Sequence, residues 1–281
     1  MNSILPLQKM APPSGLVAGT VRGWHILVLY GLVFVSMAVA SVKLTQGMQA
    51  DVRTAWKMLV MQGLTAALVA AFTVAVPELR RSLPALYARR RAPMEVLDVL
   101  LFASVVTAWT FGAHRLLLVF PLMHWDPSLI ATYGYADHPA PPMGMAGLFV
   151  LLSVAFIAPV AEELVFRGYL LNLWMHRWGL WPGIAMSSVA FGAVHGHGIV
   201  FATAGGIFFC LAYLRFGSLW PGTLLHSVCN LVNGPFGLAL LFLQKTREQA
   251  LSLSAWIPEI ALTAAFFPLA FLFWRRFRPA S

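Results

Sequence analysis

Residues 147–171 read Gly147-Leu-Phe-Val-Leu-Leu-Ser-Val-Ala-Phe-Ile-Ala-Pro159-Val-Ala-Glu162-Glu163-Leu-Val-Phe-Arg167-Gly-Tyr-Leu-Leu171. A hydrocarbon layer takes about 20 apolar residues to cross as a helix, and this run is that long. It nevertheless carries three ionisable side chains. An ionised group at bilayer depth costs about 2.5–3.5 kcal/mol on insertion scales. Two adjacent carboxylates in such a place read as functional residues, and the run itself as a membrane helix.

The rest of the chain agrees with that reading. Of 281 residues 59% are hydrophobic and 10% charged, and the mean hydropathy is +0.77. This is more apolar surface than a soluble domain needs, so the expected fold is all-α, a polytopic transmembrane bundle. The net charge of +9 sits in short clusters beside apolar runs, which sets membrane orientation and excludes nucleic acid as the partner. Cys210 and Cys229, both in apolar context, read as small buried hydrophobes rather than a disulfide or a metal pair.

Apolar runs predict about eight membrane helices, near 24–42, 56–76, 97–120, 144–165, 182–197, 199–214, 218–243 and 255–274. The first is read as an uncleaved helix rather than a signal peptide, because its apolar core is too long for one. The organisation that follows is a mobile tail at 1–20, N-terminal membrane helices at 21–143, a motif-bearing core at 144–243, and a last helix with a basic tail at 244–281. The positive-inside rule puts the loop with Arg80, Arg81, Arg89, Arg90 and Arg91 in the cytoplasm, together with Arg275, Arg276 and Arg278. Both termini are then cytoplasmic. Most tryptophans, Trp256 among them, are expected at membrane boundaries, Glu259 at the interface, and Gly205-Gly206 at a close helix contact. Arg115 either snorkels outward or pairs internally.

Three motifs fall in the core: Glu162-Glu163-x-x-x-Arg167, Phe191-x-x-x-His195 and His226-x-x-x-Asn230. All lie in predicted helices, where residues four apart share a face and adjacent ones diverge by about 100°. Glu163 and Arg167 therefore pair, while Glu162 turns into the bundle. His226 and Asn230 project together, and Asn233 extends their face. Phe191 walls His195. Pro159, one turn before Glu163, removes a helical hydrogen bond and predicts a kink. A glutamate, two histidines and an asparagine suit hydrolysis, which needs a base for water and donors for an oxyanion. Glu162 is the candidate base and His195 a holder of the water. His226 and Asn230 are candidate donors.

These motifs, in this order and over roughly 145–235, resemble those of the CPBP family of intramembrane proteases, which includes the CAAX prenyl endopeptidase (Rce1-like) and bacterial Abi proteins. The resemblance implies a membrane endopeptidase in which Glu162 activates water, His195 assists, and His226 with Asn230 forms the oxyanion site. Glu163, Arg167 and Phe191 would support them. It also implies a membrane-associated protein or peptide as substrate, and the bacterial inner membrane as the location. Such families are described both as glutamate-type proteases and as metalloproteases. No His-Glu-x-x-His pair is present, yet Glu162, His195 and His226 form a His₂Glu set of the kind catalytic zinc uses. The metal-independent form is the preferred expectation. The alternatives are a transporter or proton-coupled channel, which lacks the repeat symmetry it would need, and a non-catalytic immunity or partner protein.

Overall fold

The computed structural model describes residues 31, 50–88, 92–132, 144–234, 236–238 and 245–278. Among them the chain is helical and contains no strand, the form a backbone takes when lipid offers it no hydrogen bonds. The order is α1 (Ala50–Ala75), α2 (Pro77–Ala88), α3 (Val96–Trp125), α4 (Leu129–Thr132), α5 (Gly144–Trp178), α6 (Leu180–Ala193), α7 (Ile199–Phe216), α8 (Leu219–Asn233), α9 (Arg247–Leu251) and α10 (Ile257–Phe277).

Helices α3, α5, α7 and α10 with its leading turn are the four long and apolar enough to span a membrane. The pair α1–α2 makes a fifth if counted together, bent by 109° at the break between them. There Val76 precedes Pro77, whose ring disfavours helical geometry in the residue before it. The expected eight are not reached among the described residues. The run at 24–42 lies outside them, and α6 and α8 have only 14 and 15 residues. At 1.5 Å per residue that is about 21–22 Å, short of the ~30 Å hydrocarbon layer. Glycines with positive φ link these helices to their neighbours: Gly179 (89°) between α5 and α6, and Gly217 (66°) between α7 and α8.

Helix α5 runs for 35 residues past Pro159 without a break. On either side of the α-helical segment Ala158–Glu163, which holds Pro159, it widens into π turns at Ser153–Ile157 and Leu164–Leu171, irregularities of the kind at which helices bend. Wide turns release backbone carbonyls, which need partners in lipid. Side chains supply them. Ser187 Oγ donates to the Phe166 carbonyl (2.8 Å), and Asn172 Nδ2 to those of Arg167 (2.8 Å) and Gly168 (2.9 Å). Asn230 Nδ2 donates to Val154 (2.8 Å). Residues 164–171 are all buried, at the centre of a core to which α6, α7 and α8 contribute. The α6–α7 contact closes at Gly206, where a Cβ would come within 2.8 Å of Ser188 Cα.

Charged residues tie both ends of the bundle. At one end Arg276 donates to Asp98 and to Glu95, each at 2.7 Å, and Arg215 lies 3.5 Å from Asp98. Ser218 Oγ bonds the Tyr87 carbonyl (2.7 Å) at that same end. A second cluster corrects two expectations. Glu259 is not exposed: it is fully buried and meets Lys245 Nζ at 2.8 Å and Arg115 Nη2 at 3.5 Å. Arg115 thus pairs internally. Both cations lie over the ring of Trp256, which is equally buried and marks no boundary. Helical spacing could not foresee this, because the partners come from three separate elements. Trp56, Trp125, Trp220 and Trp274 are exposed, as a boundary role requires.

Candidate active site

One cavity of about 280 Å³ is lined by Glu162, His195, His226 and Asn230. Three elements deliver them. Helix α5 contributes Glu162 from its α-helical segment between π turns. His226 and Asn230 sit one turn apart on α8. His195 does not lie within a helix as expected. Helix α6 ends at Ala193, and His195 occupies the turn after it. The Gly-x-Gly that follows, with Gly196 at φ 57°, reverses the chain into α7. The side chain of His197 lies outside the described residues.

The two carboxylates differ in setting. Glu163 is fully buried and pairs with Arg167 Nη1 at 3.1 Å, as the four-residue spacing predicted. Gly222 leaves room for it, since a Cβ there would stand 3.2 Å from Glu163 Oε2. The Arg167 guanidinium lies 4.5 Å over the ring of Phe191 and 5.1 Å over that of Phe209, and donates to the Gly206 carbonyl. Phe191 therefore walls Arg167 as well as His195. Glu162 keeps 19% of its side chain accessible, on the cavity.

His226 joins the two carboxylates, a link that spacing along single helices did not reveal. Its Nδ1 is 3.0 Å from Glu163 Oε1, and its Nε2 is 3.7 Å from Glu162 Oε2. The first is a hydrogen bond; the second is too long for one. Because an ionised carboxylate only accepts, Nδ1 carries the proton it gives Glu163 and Nε2 is left for the cavity. Phe209 stacks on the imidazole at 4.2 Å and fixes its plane. His195 is set in the same way: its Nδ1 is 2.7 Å from the Phe191 carbonyl, an acceptor only, so Nδ1 holds the hydrogen and Nε2 the lone pair. Asn230 is not wholly free as an oxyanion donor. One of its two amide hydrogens serves Val154.

Among the described residues no three His, Cys, Asp or Glu side chains come together to hold an ion. Sequence reasoning named the two histidines, the two glutamates and the asparagine, but gave no role to Gln62, Thr110 or Cys229, which line the same cavity.

A membrane bundle with an acid–base cavity between its helices is the class defined so far. Comparison adds to this: residues 144–232, from α5 through α8, match the family model described as type II CAAX prenyl endopeptidase Rce1-like. The chain is also similar to an uncharacterised 24.3 kDa protein of Escherichia coli, at 28% identity over 163 residues, or 54% of this chain and 72% of that protein. No solved structure matches.

Proposed function

We propose that the protein is an intramembrane endopeptidase that hydrolyses a peptide bond in a membrane-associated protein or peptide, using water activated by Glu162. The observation that carries this reading is the single cavity shared by Glu162, His195, His226 and Asn230. Glu162 takes a proton from water held by the Nε2 lone pair of His195, and the hydroxide adds to the peptide carbonyl. His226, when protonated on both nitrogens, gives Nδ1–H to Glu163 and Nε2–H to the developing oxyanion. Asn230 contributes its second amide hydrogen. The proton on Glu162 then passes to the leaving amine as the C–N bond breaks. The match to the prenyl endopeptidase model makes a prenylated C-terminal motif one substrate class for this cavity, and other membrane-bound peptides fit the same chemistry.

The test is the Glu162→Gln variant, which keeps the shape and loses the base. Membranes of cells making wild type should contain new peptide termini that are absent with Glu162→Gln at equal protein level. Identical termini in both would overturn the reading. We also propose that no metal takes part. Pure protein should then hold well under one zinc per chain and resist chelators, whereas stoichiometric zinc with reversible loss on chelation would make it a metalloprotease.

A further inference from the structure

The proposed chemistry uses one face of the cavity and leaves another polar face without a task. Gln62 of α1, Thr110 of α3 and Asn233 of α8 line the cavity together with the Glu–His group. Thr110 Oγ1 donates to its own helix at Val106 (2.7 Å), and Asn233 accepts from Thr107 Oγ1 at 2.8 Å. Gln62 differs from both. It sits in an apolar helix and makes no hydrogen bond among the described residues, so none of them competes for its amide with whatever fills the cavity. Helix α1 packs on α5 along Ser153–Glu163, which brings Gln62 to the segment that carries Glu162.

A peptide bond can be attacked only where the substrate is unwound, because a helix encloses its own carbonyls. Unwinding strips the flanking N–H and C=O groups of their partners, and lipid supplies none. Many peptide-binding proteins meet this need with a strand edge, to which the peptide adds as another strand. No strand exists among the described residues. Side chains must then do the work, and a carboxamide offers one acceptor and two donors without charge. Resting on the peptidase reading, we propose that Gln62 is a substrate-binding residue that hydrogen-bonds the unwound backbone beside the scissile bond.

The probe is detergent-solubilised membrane from cells lacking this protein, incubated with the purified full chain, with new termini counted by mass spectrometry. Gln62→Met keeps length and removes the amide. It should produce the wild-type termini about tenfold more slowly in dilute membrane, the usual worth of one such hydrogen bond, and the deficit should shrink as membrane concentration rises. Its melting temperature should equal or exceed wild type, because a thioether replaces an amide that has no partner among the described residues of an apolar helix. Gln62→Ala, which enlarges the cavity rather than filling it, should be slowed in the same way. A wild-type rate in either variant overturns the proposal, as does slowing of Gln62→Met accompanied by a lower melting temperature. If wild type and Glu162→Gln yield the same termini, the peptidase reading itself falls, a result distinct from normal rates at position 62.

Discussion

Glu163 Oε1 serves two partners, Arg167 on its own helix and His226 on α8. The first was legible in the sequence, because four residues make one turn. The second was not: His226 lies 63 residues on, and only the packing of α8 against α5 decides which carboxylate its imidazole meets. Glu163→Gln should therefore do two things. It strands the buried charge of Arg167, a loss of roughly 3–5 kcal/mol measurable by thermal melting. It also lowers turnover per folded molecule, because a neutral amide can still accept the Nδ1 hydrogen but no longer supplies the negative charge that favours the doubly protonated imidazole. Normal turnover in the surviving folded fraction would reduce Glu163 to a scaffold. Asn230 likewise joins structure to chemistry. Asn230→Ala orphans the Val154 carbonyl, costing about 1–3 kcal/mol, and should lower kcat by about 10²–10³-fold, as for a lost oxyanion donor. Asn230→Asp sets a carboxylate against that carbonyl and should be worse on both counts. An Asp variant more active than the Ala variant would instead point to proton transfer.

Among the elements, α5 departs furthest from what periodicity anticipates. Its apolar run and its proline were plain in the sequence, and a kink was the expected outcome. The π turns depend on Ser187 and Asn230, donors from α6 and α8, as well as on Asn172, and no reading of one helix alone reveals them. The small residues of α7 were easier to foresee, and the pair Gly205-Gly206 divides into two roles. A Cβ on Gly206 would press on Ser188 Cα at 2.8 Å, whereas one on Gly205 would meet only Phe209 Cε2 at 4.0 Å. Gly206→Ala should lose about 1–3 kcal/mol, the range for overpacking. Gly205→Ala should melt like wild type. Equal melting temperatures in the two variants would show that α6 and α7 separate without penalty.

In the whole molecule, bonds from Arg276 to Asp98 and Glu95, and from Ser218 to Tyr87, gather the basic end of α10, the start of α3 and the end of α2 at one end. By the positive-inside rule that end is expected to face the cytoplasm. Reporter fusions at Arg90 and after Ser281 should give the same cytoplasmic signal, and opposite signals would break the assignment. The architecture as a membrane bundle was legible from composition, because hydropathy reports what a segment touches. The number of spans was not, since length alone does not separate a full crossing from short helices such as α6 and α8. The two thiols of the molecule divide along the same lines. Cys210 is enclosed in the core beside Ser188, while Cys229 borders the candidate cavity between His226 and Asn230. Because only a thiolate is alkylated and both thiols are enclosed, a small alkylating reagent should label neither in the folded protein, and capture at position 229 ahead of position 210 would report transient opening of the cavity rather than of the core.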